Sequence, residues 1–260
     1  MTGELHPTAE GFGRVAAEYE RSRPGYPPAA LALVATRTGI GPGRRVLDVA
    51  AGTGKLTREW VERGADIVAV EPVAGMREVL ERHLPAVTSF DGTAEDLPLP
   101  DADVDVATVA QAFHWFDADA AHAELHRVLR PGGHLAVLFN RRDLSTPVQA
   151  AIDDLLAPHR GDTPSWATHD WSRLLEASPR FGDLEVASFP SVQRLDATGL
   201  AGRVASISFV AQLDDRTRAR VMVAVRAIFD RSARPDRDGV DRVEVAHVCE
   251  VRLLRRVDTP

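Results

Sequence analysis

Apolar residues along the chain fall into short solid runs, separated by stretches in which they recur every three or four positions. Arg45 to Ala50, Asp66 to Glu71, Ala86 to Phe90, Val104 to Ala110 and His134 to Phe139 are runs of the first kind and predict buried strands. Lys55 to Arg63, Ala74 to His83 and a segment capped by Asp117 and reaching towards Arg130 are of the second kind and predict helices between them. Strands alternating with helices at this spacing predict an α/β fold, its parallel sheet covered on both faces.

The pattern changes at both ends. A helix over Phe12 to Glu20 is broken by Arg23-Pro24-Gly25-Tyr26-Pro27-Pro28, and a second runs from Pro28 to Arg37 before a glycine-rich turn. After residue 143, Pro147 to Ala177 is helical in pattern, and its tryptophans Trp166 and Trp171 predict a cap over a pocket. Leu184 to Leu195 and Val243 to Leu254 read as strands, with helices at Thr198 to Val210 and Asp214 to Arg231 between them. The expected organisation is one domain over 1–260. Residues 1–143 form an N-terminal extension and ligand-binding core; 144–260 form a helical cap and C-terminal strands on the substrate side.

Composition narrows the partners. With 44% hydrophobic and 27% charged residues the chain is an ordinary folded protein. A formal charge of -7 without any long Lys/Arg block argues against nucleic acid and for a small-molecule substrate. A single cysteine, Cys249, excludes a disulfide framework within the chain and reads as a small buried residue. Residues Met1 to Tyr19 hold Glu4, Glu10 and Glu18 and no apolar run, and no uncharged stretch of about 18 residues occurs. A cytoplasmic monomer or homodimer with no membrane contact is expected.

The sharpest motif is Val46-Leu-Asp-Val-Ala-Ala-Gly-Thr-Gly-Lys-Leu-Thr57, a strand that breaks into a small-residue turn and opens a helix. Small residues there let a ligand approach the backbone at the strand's carboxyl end. Neither the dinucleotide GxGxxG nor the P-loop is present. Asp48-Val49-Ala50-Ala51-Gly52-Thr53-Gly54 resembles motif I of class I S-adenosylmethionine-dependent methyltransferases, an acid followed by GxGxG, with Ala50 in place of the first glycine. The resemblance implies a Rossmann-like, mostly parallel seven-stranded sheet with helices on both faces and a helical cap. It also implies S-adenosylmethionine as cofactor, S-adenosylhomocysteine as product, and cofactor contacts at Asp48 and Ala50 to Gly54.

Glu71 ends the next strand, 19 positions after Gly52. Its carboxylate can accept hydrogen bonds from both ribose hydroxyls, with Pro72 beside it; the alternative is a solvated strand-end acid. Gly92-Thr93-Ala94-Glu95-Asp96-Leu97-Pro98 resembles the family's third-strand loop, which implies that Ala94 and Glu95 flank the adenine. Leu129-Arg130-Pro131-Gly132-Gly133 resembles a family element that ends a helix and turns the chain. Tyr19 to Pro27 is similar to the opening of the small-molecule subfamily of methyltransferase type 11 and trans-aconitate kind. There Tyr19 and Arg23 would close over the cofactor, Arg23 facing its methionyl carboxylate; the alternative is an aromatic packed on the sheet and an exposed arginine.

Methyl transfer needs positioning and exclusion of water more than dedicated catalytic groups. Gln111-Ala112-Phe113-His114-Trp115-Phe116-Asp117 follows the fourth strand, where the ligand crevice of such a sheet lies. Gln111 is assigned to the cofactor, Phe113, Trp115, Phe116 and Trp166 to the substrate pocket, and His114 to the pocket as a candidate general base. Aromatic packing and a hydrogen-bonded histidine are the alternative. Ser206 and Phe209 fall in segments that could cover the crevice. His122 and His126 have metal-ligand spacing but no third ligand nearby, so no metal is expected and they read as a solvated helix face. The function expected is S-adenosylmethionine-dependent O-methylation of a small metabolite or natural product. A methyltransferase-fold protein catalysing cyclisation or only binding, and an NAD(P)-dependent oxidoreductase, are the alternatives.

Overall fold

The apolar runs form β1 (Arg45–Val49), β2 (Asp66–Val70), β3 (Thr88–Phe90), β4 (Val104–Ala110) and β5 (Leu129–Arg142) in a computed structural model that describes residues 13, 15–164 and 171–258. Two long strands, β6 (Phe181–Leu195) and β8 (Asp241–Arg256), complete the sheet, and a two-residue β7 (Arg234–Pro235) pairs with β8. The order is β3-β2-β1-β4-β5-β8-β6; the first five strands pair in parallel and β8 runs against both β5 and β6. The expected seven-stranded sheet is present, and β7 is the addition.

Alternation along each strand builds a core on either face. Leu47, Val49, Val68, Val109, Val137 and Phe139 bury on one side with Leu125 of α5 (Ala118–Val128) and Leu175 of α7 (Trp171–Glu176). Val46, Ile67, Val106 and Leu138 bury on the other with Leu31 of α2 (Pro28–Thr38) and Trp60 of α3 (Lys55–Glu62). A third cluster lies at the end of the β6/β8 ribbon that outruns β5, where Val243 and Val245 meet α6 (Pro147–Leu156), α8 (Ala197–Ala205) and α10 (Asp215–Ser232). These helices, with the short α9 (Ser208–Ala211), form the cap. At the opposite end of the chain, α1 (Ala16–Ser22) packs on α4 (Ala74–His83) through Ala16, Tyr19 and Met76. Among the described residues no helix is long and apolar enough to cross a membrane.

One expected boundary is corrected. The helix ends at Val128 and β5 already begins at Leu129, so Pro131-Gly132-Gly133 lies inside a strand. Leu129 pairs with Val104 and His134 with Val106, so three extra residues bulge from β5, with Gly132 at φ 72. Pairing of Leu129 to the neighbouring strand overrides the helix-stop reading of Pro-Gly-Gly.

Candidate functional site

The chain leaves β1 for β2 on one side and reaches β4 on the other, so the strand order reverses between β1 and β4. A crevice opens beyond the carboxyl ends of strands at such a point. It is formed here by the loop after β1 and by Gln111 after β4. Ala50, Gly52 and Gly54 all take left-handed backbone, at φ 52, 59 and 82. For Ala50 that conformation costs about 1–2 kcal/mol, which glycine would avoid. Gly54 caps α3, and a Cβ there would lie 3.0 Å from Leu80 and Leu84 side-chain carbons.

Two buried carboxylates hold this loop. Asp48 accepts from Thr57 Oγ1 at 2.6 Å and Thr108 Oγ1 at 2.9 Å, and burial pushes it up to about 6. Glu71, 4% exposed, accepts from the Gly52 backbone N–H at 2.7 Å and from that of Val73 at 2.8 Å. Glu71 is thus no solvated strand-end acid. Each oxygen retains a further lone pair for a hydroxyl donor.

Burial pushes Glu71 up to about 7. Its native pKa lies above the unfolded value of about 4.3, so the folded state holds the proton more tightly. The resulting stability is present below the unfolded pKa and is lost as pH rises through the folded one. His247, pushed down to about 3 by burial and by Arg203, slopes the opposite way over much of that range. The Glu71 part is therefore read as a difference: between about pH 5 and 7, wild type should lose about 1.4 kcal/mol per pH unit relative to Glu71→Gln in urea unfolding. Parallel pH profiles for the two proteins would refute this.

Helix α1 is fastened across the loop. Glu20 accepts from Thr53 Oγ1 at 2.6 Å and Arg58 Nη2 at 2.9 Å, and Lys55 Nζ donates to its backbone carbonyl at 2.5 Å. The Arg23 guanidinium stacks 5.0 Å from the Tyr19 ring centroid and donates to Ser206 Oγ at 3.0 Å and Ser206 O at 2.9 Å. Arg23 is not an exposed arginine. It joins α1 to the cap, and burial lowers its pKa to about 10.

Two adjoining cavities result, of about 560 and about 990 Å³ with their mouths. The inner one is walled by Asp48, Ala50 to Thr53 and Lys55, the outer one by His114, Trp115, Leu144, Arg142 and Phe209. Tyr19, Arg23, Gln111, Asn140 and Arg203 wall both. Gln111 is held at φ 62 while its N–H donates to Leu138 O, and the buried Oδ1 of Asn140 has no hydrogen-bond partner. Strained backbone and an unspent polar atom at one spot are what a ligand site retains.

Of the aromatic run, only His114 and Trp115 face the cavities. Phe113 is 1% exposed and packs on Phe116, His122 and Trp171 with ring centroids 5.5, 5.4 and 6.3 Å away. Phe113 belongs to the core, and Phe116 is partly buried against it and is not among the walls of these two cavities. His122, 2% exposed between Phe113 and Phe181, is not on a solvated face, and His126 bonds Val257 O through Nε2 at 2.9 Å. Among the described residues no group of three or more His, Cys, Asp and Glu side chains could hold a metal.

Ala94 is buried, and Glu95 Oε1 accepts from the Asp117 N–H at 2.9 Å, tying the third-strand loop to the start of α5. Glu71, Pro72, Ala94 and Glu95 are not among the walls of these two cavities. Trp166 lies outside the described residues. Cys249 is buried on β8, its thiol pushed up to about 12 by desolvation.

Sequence reading missed Lys55, Asn140, Arg142 and Arg203. Arg203 alone left a signal, since it falls at helical spacing with Leu200 and Val204 on the buried stripe of α8.

A family profile described as a methyltransferase domain matches residues 47–137. An uncharacterized methyltransferase of Mycobacterium tuberculosis is 48% identical over 143 residues, which is 55% of this chain and 57% of that protein, so the chain spans little more than half of that relative. An uncharacterized methyltransferase-like protein of Schizosaccharomyces pombe is 33% identical over 206 residues, 79% of this chain and 80% of its own. The solved structure of a candidate type II methyltransferase from Anaeromyxobacter dehalogenans superposes with a TM-score of 0.64 at 30% identity, over 90% of this chain and 97% of that one.

Proposed function

The chain belongs to the class I S-adenosylmethionine-dependent methyltransferase family, and from that premise we propose that it transfers a methyl group to an oxygen of a small metabolite or natural product. The observation that carries this reading is the pair of cavities with a common wall. One lies on the motif loop and suits the cofactor; the other lies under the cap and suits an acceptor.

The residues present fit the cofactor. The unpartnered Asn140 Oδ1 offers an acceptor to an amino-acid moiety, Gln111 stands beside it, and Arg23 offers a cation to its carboxylate. Glu71 would accept from the ribose hydroxyls, and Ala94 and Glu95 would border the adenine. When bound, S-adenosylmethionine supplies a methyl group carried on a sulfonium.

The chain's own part is positioning and exclusion of water. Trp115, Leu144 and Phe209 give the outer cavity apolar walls. Its four guanidiniums, Arg23, Arg142, Arg160 and Arg203, outnumber its one carboxylate, Asp153, which disfavours an ammonium acceptor and suits a neutral or anionic oxygen. His114 stands on the same cavity and is the candidate to take the proton of a hydroxyl acceptor. Incubation with methyl-labelled cofactor and pooled small metabolites should yield a labelled product. Cofactor binding without label in any product would favour the non-methylating alternative instead.

A further inference from the structure

Arg203 is 8% exposed and walls both cavities. One Nη lies 3.4 Å from Nε2 of His247, and its Nε makes no hydrogen bond. Gln149 Nε2, itself bonded to Ala246 O at 2.6 Å, lies 3.3 Å from the same His247 nitrogen, so α6, α8 and β8 together fix the guanidinium. Arg203 forms no ion pair among the described residues, and the neighbouring guanidiniums of Arg23 and Arg142 repel it. The acids nearby are taken: Asp153 accepts from both Arg142 at 2.8 Å and Arg160 at 2.9 Å.

An arginine stays ionised in a protein, and a buried cation among like charges is strongly unfavourable until an anion joins it. The cofactor brings one carboxylate, for which the stacked Arg23 on the inner cavity is available. A second anion is still needed at Arg203. Resting on the methyl-transfer reading above, we propose that Arg203 anchors the substrate. The acceptor molecule is a small amphipathic oxyanion, a carboxylate or a phosphate. Its charged group meets the guanidinium fork, and its apolar body lies against Trp115 and Phe209.

Protein loaded with S-adenosylhomocysteine is titrated with phenylacetate, citrate, phenyl phosphate and the neutral phenylacetamide at matched ionic strength, followed by tryptophan fluorescence. At least one oxyanion should bind about tenfold or more tightly than the amide, and which one separates carboxylate from phosphate. Arg203→Gln should bring that ratio to within about threefold while S-adenosylhomocysteine affinity changes by less than about threefold; Arg203→Lys should keep part of the preference. An equal or undetectable response to acids and amide in wild type overturns the proposal without any variant. So does a tenfold loss of S-adenosylhomocysteine affinity in Arg203→Gln with the acid preference intact, which would assign Arg203 to the cofactor. If wild type fails to bind S-adenosylhomocysteine at all, it is the methyl-transfer reading that falls.

Discussion

Glu71→Ala is expected to lower the unfolding free energy by about 2–4 kcal/mol and to weaken S-adenosylmethionine binding by about tenfold or more. The first effect follows from its two backbone partners. Gly52 N–H and Val73 N–H both donate to this carboxylate, and truncation leaves two donors in a site that is nearly closed to water. An unmade bond to a buried group costs about 1–3 kcal/mol. The second effect follows from the loop itself, because Gly52 belongs to the wall of the inner cavity. Urea unfolding and calorimetric titration measure the two separately. Glu71→Gln keeps one acceptor oxygen and should fall between wild type and alanine in both; a stable alanine variant with unchanged affinity would remove Glu71 from the site.

A comparable loss is expected from Gly54→Ala, at about 2–4 kcal/mol. Left-handed backbone at φ 82 accounts for about 1–2 kcal/mol of it with any L side chain. The remainder is overpacking, since the new methyl would stand 3.0 Å from Leu80 Cγ and Leu84 Cδ1, both on or beside α4. Relief of that contact moves α4 away from the motif loop. The shift in urea midpoint is the readout, and Gly54→Ala combined with Leu84→Ala should recover part of the overpacking share but none of the backbone share. A midpoint unchanged from wild type would show that the turn does not require glycine at 54.

The central strands were legible because they are bounded runs whose fate does not depend on distant residues. Ala74–His83 and Val104–Ala110 have the ends that periodicity predicts. Where partners outside the local sequence decide, reading failed in a consistent way. Pro131-Gly132-Gly133 looks like a helix stop until Leu129 is seen to pair with Val104. The aromatic run after β4 reads as one pocket wall, yet a single turn over Phe113–Trp115 sends Phe113 into the core and His114 with Trp115 to the cavity. His122 is polar by type and buried by its neighbours Phe113 and Phe181.

The motif loop itself was plain from small residues after a buried strand. What Glu71 does to it was not, because its partners are backbone amides that any residue would carry. Arg203 lies far from Asp48 in sequence and walls the same cavity, a meeting that only the cap's packing creates.

Helix α1 has seven residues, fewer than a helix needs to persist alone, and Glu20 binds it to Thr53, Lys55 and Arg58. The wall that Tyr19 and Arg23 supply to the inner cavity is therefore borrowed: a segment too short to hold its own shape takes it from the loop it covers.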